Sequence, residues 1–518
     1  MRKYVNGALI PLALMFLAFS PAWTDVKAPG IFGDNMVLQR GIPLPVWGMA
    51  DPGEKVTVTL GDNSASTAAG KDGRWMVRLK KMDAGGPYEM KVAGNNSLTF
   101  KNVLVGEVWV CSGQSNMWWQ IRQVTGIENE IASANYPNLR YFSANLVSRE
   151  EPQFDFPGKK PQWTACSTET VKNFSAVAYY FGKAIHQDMG VPVGLIHTSW
   201  GGSVAEAWTR IEALKSKPEL RPIVDDLEGM KAAYAKAKEE YNRKSAEFAK
   251  TQGSKGAVPP MPLPPRGPGE RDWPSGLYNA MLAPMIPYGI RGAIWYQGES
   301  NSVRAWQYRT LFPTMIKDWR KAWNEGDFPF LYVQIANWKT SAIPVEDTWG
   351  SWPELREAQL MTLSLSKTGM AVTVDIGDST NIHPNDKWDV GRRLSLAALH
   401  VAYGQNIVFS GPVYRSMKKE GNRIRLQFDH TDGGLATRTG EPLQGFTIAG
   451  EDKIFQPASA RFSGAEVIVS AESVLKPVAV RYGWADNPYC NLYNTAGLPA
   501  SPFRTDSWKG ITEGKVKP

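Results

Sequence analysis

The chain has 518 residues, of which 43% are hydrophobic and 21% charged, and its formal net charge is +8. These values are ordinary for a globular protein and leave room for several domains. The positive charge is a mild excess over a long chain, without the concentrated basic patch and supporting motifs that nucleic-acid binding needs, so we exclude a nucleic-acid partner.

The first 22 residues have the pattern of a cleaved export signal. Arg2 and Lys3 precede the mostly apolar run Ala8–Phe19, and Ser20–Ala22 supplies small residues at the cleavage point. The apolar run is short for a membrane span, and no cysteine follows it to accept a lipid. We therefore expect an exported protein, periplasmic or secreted, without stable membrane insertion. Cleavage lowers its formal charge from +8 to +6.

Residues 23–104 are predicted to form an all-β domain. Apolar and polar residues alternate in 56–60, 75–79 and 88–92, and turn residues such as Asp72-Gly73 separate these runs. Short strands at this spacing are typical of a small N-terminal β-sandwich.

Residues 105–405 have a different pattern, which predicts the main domain. Apolar strands without alternation are separated by helical stretches such as Ala176–His186 and Leu355–Leu365. This pattern indicates an α/β fold with a parallel sheet covered on both faces. The other predicted strands are Val193–Ile196, Ala293–Tyr296, Phe330–Val333 and Met370–Val374.

An insertion at about residues 212–272 interrupts this domain. Its helix, Met230–Lys250, carries an aromatic stripe at seven-residue steps, which is typical of a peripheral helical arm. This helix is followed by six prolines between Pro259 and Pro268, which predict a stiff, extended linker. Residues 406–518 return to a β pattern, for example in 424–428 and 467–469, and are predicted to form a C-terminal β domain.

The segment Val105–Met117 (VGEVWVCSGQSNM) carries the first catalytic candidate. An apolar strand breaks at Gly113, and Ser115 follows at the turn. A serine delivered at the carboxyl edge of a sheet is how many hydrolases present a nucleophile. An ordinary β-turn is the alternative interpretation of this segment alone.

A serine nucleophile needs a base, and the chain has five histidines. His383 follows the predicted strand 372–374 in a polar loop, so we expect it to meet Ser115. Asp378 is the best candidate for a triad acid by its position in that loop, while Asp375, Asp386 and Asp389 are further candidates. A Ser–His pair without a carboxylate remains open.

Two further polar turns follow predicted strands and suit an oxyanion hole. Gly201 and Gly202 allow backbone N–H groups to approach a ligand closely, and Gln297 offers a side-chain amide. The three cysteines cannot all pair, although a Cys166–Cys490 bridge is possible in an oxidising compartment. No Cys and His cluster has zinc spacing, and we expect no metal and no cofactor.

Several motifs together resemble the SGNH-type esterases, and more narrowly the bacterial sialate O-acetylesterases and their acetylxylan-esterase relatives. The resemblance runs nearly end to end. The motifs are DNMVLQR (34–40), PVWG (45–48), DGRW (72–75), GGPY (85–88), GQSNM (113–117), WGGS (200–203), WYQGESN (295–301), IHP (382–384) and GLPASPFRTD (497–506).

This resemblance implies a three-layer α/β/α hydrolase domain with accompanying β domains. It implies Ser115 as nucleophile, His383 as base, and an oxyanion hole made by the Ser115 N–H, a glycine of Gly201-Gly202 and the Gln297 side chain. Many SGNH enzymes have Asp three residues before the histidine, where this chain has Thr380.

We therefore expect a serine carboxylic-ester hydrolase that removes acetyl groups from O-acetylated sialic acid. The alternatives are an esterase acting on acetylxylan or another glycan, and a catalytically inactive carbohydrate-binding protein. A sialic acid site should carry an Arg or Lys near Ser115, because its substrate is an anion.

Overall fold

The computed structural model describes residues 25–251, 265–338 and 350–516. The predicted export signal (1–22) lies outside these ranges, as does most of the proline-rich stretch.

The N-terminal region is built from seven strands. The pair β2–β5 is antiparallel and separate, while β4, β3, β6 and β7 pair in that order and β1 adds to β7 in parallel. The hydrophobic side chains of both sheets join one buried cluster, which confirms the alternation predicted from the sequence. The strands are β1 (Val37–Gln39), β2 (Leu44–Met49), β3 (Lys55–Leu60), β4 (Asn63–Ala68), β5 (Arg74–Leu79), β6 (Gly85–Ala93) and β7 (Ser97–Gly113).

Strand β7 is 17 residues long and belongs to two regions of the molecule. Its first half pairs with β6, whereas residues 107–113 pair with strands of the central sheet. The point between residues 104 and 105, where the sequence pattern changes, therefore lies inside one continuous strand.

The central sheet has the order β13-β12-β11-β7-β10-β8-β9, and all its neighbours are parallel except the edge pair β8–β9. The α/β fold class predicted from the sequence is thus confirmed. The added strands are β8 (Tyr136–Ser143), β9 (Trp163–Cys166), β10 (Val193–Ser199), β11 (Gly292–Tyr296), β12 (Phe330–Val333) and β13 (Thr368–Ala371).

Helices cover both faces of this sheet. Alternate residues of each strand point to opposite faces. In β11, Ile294 packs in the cluster of α3 and α8, whereas Trp295 packs edge-on against Trp319 of α6. The helices are α1 (Ser115–Trp118), α2 (Glu128–Ser133), α3 (Ala176–Met189), α4 (Ile211–Lys215), α5 (Leu227–Thr251), α6 (Ala305–Trp323), α7 (Trp352–Met361) and α8 (Lys387–Val401).

The predicted helix of the insertion is present as α5, and none of its residues is buried. Its polar face carries ion pairs along the helix, such as Lys244 with Glu240. Within the described residues, no helix is long and apolar enough to cross a membrane.

The C-terminal region packs two four-stranded antiparallel sheets and a smaller pair around a third hydrophobic cluster. Cys166 and Cys490 are free thiols that lie in different clusters, so the possible bridge between them is absent. The strands are β14 (Val413–Glu420), β15 (Arg423–Asp429), β16 (Leu435–Thr437), β17 (Phe446–Ala449), β18 (Gln456–Pro457), β19 (Ser459–Ser463), β20 (Glu466–Ser470), β21 (Ala479–Tyr482), β22 (Leu492–Asn494) and β23 (Phe503–Arg504).

Candidate active site

The turn between β7 and α1 places Ser115 at the carboxyl edge of the sheet. Gly113 has φ +140°, and a Cβ atom built on it would lie 2.2 Å from the Tyr296 carbonyl oxygen. A side chain at this position is therefore excluded by both backbone conformation and space. The close approach of β7 and β11 fixes where the chain turns, and Ser115 begins the helix that follows.

Ser115 and His383 are 268 residues apart in sequence and meet at this edge. His383 Nε2 lies 2.8 Å from Ser115 Oγ, which is hydrogen-bond distance. The His383 ring also stacks on Trp119, with ring centroids 4.7 Å apart and an interplanar angle of 20°. Both side chains are half-buried, so the pair is open to a ligand.

Partial burial and the positive charge of Lys387 lower the pKa of His383 below its ordinary value of 6.5. The imidazole therefore stays neutral at neutral pH. In that form Nε2 accepts a proton from a hydroxyl when the Nδ1 tautomer is populated.

The four acidic candidates near His383 all bind other partners. The Asp378 carboxylate is exposed and accepts hydrogen bonds from the backbone and hydroxyl of Thr380, both at 2.8 Å. Asp375 forms a buried two-point ion pair with Arg393. Asp386 caps α8, and Asp389 pairs with arginines of that helix.

This finding differs from the expectation for Asp378. Across residues 25–251, 265–338 and 350–516, no hydrogen bond or ion pair joins any carboxylate to His383. The physical reason is local: the Asp378 side chain satisfies the turn of its own loop instead of reaching the ring.

Gly201 and Gly202 lie beside Ser115 and line the same cleft. A Cβ atom on Gly201 would be 3.4 Å from Ser115 Cβ. Among the described residues, no hydrogen bond occupies the backbone N–H of Ser115, Gly201 or Gly202. Three N–H donors are therefore available near the serine hydroxyl.

Gln297 does not reach the cleft, in contrast to the expectation. It is fully buried, and its amide nitrogen donates to the Ser203 carbonyl at 3.2 Å and to Asn301 Oδ1 at 2.7 Å. Its oxygen accepts from Tyr308. Both amide hydrogens of Gln297 are therefore engaged in hydrogen bonds. The side chain holds the turn at Gly201-Gly202 against the loop that follows strand β11.

The cleft around Ser115 and His383 has a volume of about 780 Å³ and is mainly apolar. This size is that of a small-molecule site. Arg271 enters it from the insertion and donates from Nη1 to the Gly201 carbonyl at 3.0 Å. The tryptophans lining the cleft are Trp118, Trp119, Trp200, Trp338 and Trp352.

Three buried residues beneath the pair were not singled out as site residues from the sequence. Lys387 donates to Asn116 Oδ1 at 2.6 Å, and Asn116 Nδ2 donates to Glu299 Oε1 at 2.8 Å. Asn116 and Glu299 stand inside the GQSNM and WYQGESN motifs, which is the signal that marks them. Lys387 has no such signal beyond its place four residues after His383.

The remaining histidines lie in other surroundings. His197 is buried and bonds Ser199 and Ser143, and burial lowers its pKa to about 3. His400 stacks on Phe409. Within the described part of the chain, no group of three or more His, Cys, Asp or Glu side chains is placed to hold a metal ion.

A family model described as "Carbohydrate esterase, sialic acid-specific acetylesterase" matches residues 269–400. A solved structure described as a novel carbohydrate acetylesterase from Xanthomonas citri has a TM-score of 0.80 and 38% sequence identity. The match covers 93% of this chain and 100% of that chain.

Curated relatives match over nearly the whole chain. The human sialate O-acetylesterase is 28% identical, covering 96% of both chains. The sialate O-acetylesterase of Rattus norvegicus is 30% identical over 528 residues, covering 91% of this chain and 92% of the rat protein. On this identity and coverage, the chain belongs to the sialate O-acetylesterase family and is a carbohydrate esterase.

Proposed function

We propose that this esterase removes acetyl groups from O-acetylated sialic acid through an acyl-enzyme formed on Ser115. The observation that carries the proposal is the 2.8 Å contact between Ser115 Oγ and His383 Nε2 inside an aromatic cleft. A serine hydroxyl is a weak nucleophile by itself, and an adjacent neutral imidazole activates it by taking its proton.

The reaction proceeds in two steps. Ser115 Oγ attacks the acetyl carbonyl carbon while His383 takes the hydroxyl proton, and the imidazolium then gives that proton to the departing sugar oxygen. In the second step His383 takes a proton from water, the hydroxide attacks the acetyl-serine, and acetate leaves as Ser115 regains its proton.

Backbone donors are proposed to stabilise the tetrahedral oxyanion. The N–H groups of Ser115, Gly201 and Gly202 are near the serine and carry no hydrogen bond among the described residues. Such preorganised donors contribute about 3–4 kcal/mol each to transition-state stabilisation. Gln297 supports this turn from behind, since its amide is already bound to Ser203 and Asn301.

Replacing the serine tests the chemistry. Ser115→Ala removes the attacking oxygen, so we expect hydrolysis of 4-nitrophenyl acetate to fall by about 10³-fold or more. The thermal melt should stay near that of the wild type, because among the described residues the Ser115 side chain makes one half-buried hydrogen bond, to His383. Activity of the folded variant within tenfold of the wild type (~1.4 kcal/mol) would contradict the proposal.

Arg271 supports an anionic sugar as the substrate. Sialic acid carries a carboxylate, and a guanidinium is the side chain best matched to a planar carboxylate. Arg271 lines the cleft, uses Nη1 on the Gly201 carbonyl, and lies 3.8 Å from the Asp272 carboxylate. Its side chain is 43% exposed, so part of the guanidinium remains open to a ligand.

A substrate comparison tests this role. Arg271→Met should raise KM for O-acetylated sialic acid by about 30-fold, the equivalent of a lost charged hydrogen bond of about 2 kcal/mol. Turnover of the neutral 4-nitrophenyl acetate should change less than about threefold, because that ester has no carboxylate to bind.

Arg266→Met is the matched control, since Arg266 is also 43% exposed and 3.8 Å from Asp272 but does not line the cleft. Equal losses on both substrates in Arg271→Met would show that Arg271 only holds the Gly201 turn. A preference for acetylxylan over acetylated sialic acid in the wild type would contradict the sialate assignment.

We also propose that the protein is bacterial and is exported after cleavage near Ala22. The support is the basic pair and apolar run at the N-terminus, together with the sequence similarity to the bacterial carbohydrate acetylesterase. Recovery of the exported protein with Met1 still attached would contradict cleavage.

A further inference from the structure

A buried polar chain lies directly beneath Ser115 and His383. Lys387 is fully buried, and its ammonium donates to Asn116 Oδ1 at 2.6 Å. The amide nitrogen of Asn116 in turn donates to Glu299 Oε1 at 2.8 Å. The three residues come from α8, α1 and the turn after β11, so they join three separate segments of the catalytic edge.

A lysine and a glutamate are costly to bury, and here they are not in direct contact. Burial lowers the pKa of Lys387 to about 7 and raises the pKa of Glu299. The second carboxylate oxygen, Glu299 Oε2, is buried without a hydrogen-bond partner in the described part of the chain. Burying charged groups costs free energy, and buried groups with perturbed pKa values cluster at functional sites.

This buried polar chain adjoins both members of the reacting pair. Asn116 follows Ser115 directly, and its Nδ2 also donates to the carbonyl of Ile382, the residue before His383, at 3.1 Å. The Lys387 ammonium lies 6.0 Å from the ring centroid of Trp119, which stacks on His383. One asparagine amide therefore links the serine turn to the histidine loop.

We propose that Lys387, Asn116 and Glu299 form a positioning unit that holds His383 against Ser115 and takes the place of a triad carboxylate. This inference rests on the proposed function, in which Ser115 and His383 are the reacting pair. The unit acts through the backbone of Ile382 and through the charge of Lys387, and of its three residues Glu299 also lines the cleft.

The sign of the charge distinguishes this unit from a triad acid. A carboxylate beside the ring would raise the pKa of His383, whereas burial and the Lys387 ammonium lower it. The acidic groups acting on Lys387 are Glu299 and Asp386. Since the pKa of Lys387 is about 7, its ammonium is mostly protonated at the lower pH where His383 gains its proton.

The test is the pH dependence of kcat/KM on 4-nitrophenyl acetate. The rate rises with pH as His383 loses its proton, so the wild-type acidic limb should lie below pH 6.5. Lys387→Met removes the positive charge, and we expect this limb to move to higher pH. We also expect kcat to fall by about tenfold or more, because Asn116 loses the donor that orients it.

A second variant guards against misfolding. Lys387→Met leaves the buried Glu299 without the cation that lowers its pKa, so Lys387→Met/Glu299→Gln removes both charges together. Lys183→Met is the matched control: Lys183 is also largely buried and close to a glutamate, which it contacts directly, but it does not act on His383. The control should keep the wild-type limb.

The inference would be overturned if, in a folded variant lacking Lys387, the acidic limb of the pH profile stays in place or moves to lower pH. A merely structural role would lower the melting temperature and kcat without moving the limb. Failure of the proposed function can be distinguished from failure of this inference, because it would appear as activity retained by Ser115→Ala.

Discussion

The ring of His383 is held on two sides, by the hydrogen bond between Nε2 and Ser115 Oγ and by the face of Trp119. Its Nδ1 has no hydrogen-bond partner among the described residues. A triad carboxylate would fix the tautomer and stabilise the imidazolium. Here the aromatic face of Trp119 offers part of that stabilisation once the ring becomes a cation.

The variant Asp378→Asn distinguishes a Ser–His–Asp triad that includes Asp378 from a Ser115–His383 pair without a carboxylate. Asparagine keeps the Oδ1 acceptor that binds the Thr380 backbone and hydroxyl, so the loop should be preserved. We expect kcat/KM on 4-nitrophenyl acetate to fall by less than about tenfold. Asparagine in place of a true triad aspartate costs about 10⁴-fold.

The thermal melt of Asp378→Asn serves as its control and should match that of the wild type. The carboxylate is exposed, and its hydrogen bonds to Thr380 lower its pKa, so no buried charge is lost. A loss of 10³-fold or more with an unchanged melt would make Asp378 the acid after all and would require the loop to move during catalysis.

At the scale of strands and helices, the sequence was informative because local patterns match the layers of the fold. The predicted strand Phe330–Val333 is β12, and the predicted helix Ala176–His186 is the greater part of α3. That helix begins at the Ser175 cap and ends at Gly190 with φ +65°. Apolar runs, caps and glycines are local signals, and they suffice for such elements.

The side-chain directions at the catalytic edge were less predictable. The turns that carry Ser115, Gly201 and Gln297 were all expected at the ends of parallel strands, which is where the structure places them. Whether Gln297 faces the cleft depends on Ser203, Asn301 and Tyr308, which are brought together only by folding.

Lys387 was missed for a related reason. A lysine at the first position of a helix is normally exposed, and nothing near it in sequence shows that Asn116 and Glu299 will enclose it. The partner Asn116 is 271 residues away. Such a buried contact is a property of the tertiary structure and has no local pattern.

At the scale of the whole molecule, one arginine joins the central domain to the C-terminal β region. Arg356 of α7 is fully buried, and burial lowers its pKa to about 10. Its guanidinium bonds backbone carbonyls on both sides of the junction. These acceptors are Ile335 and Ala336 after β12, and Ala485 and Asp486 of the C-terminal region, at 2.7–3.0 Å.

Arg356→Met should therefore destabilise the whole chain. The variant leaves buried carbonyl oxygens without their donor, and each such group costs about 1–3 kcal/mol. We expect the free energy of unfolding in urea to fall by about 3 kcal/mol or more, with a lower Tm at a matched scan rate.

Arg415→Met is the matched control, because Arg415 and its partner Asp429 are both more than half exposed. Its Tm should stay close to that of the wild type. If the C-terminal region unfolds independently of the esterase domain, Arg356→Met will unfold in two separate transitions. A single transition at a lower Tm, seen in Arg356→Met and not in Arg415→Met, would instead mean that the β region and the α/β domain unfold together, so that the catalytic edge depends on residues more than 100 positions away from His383.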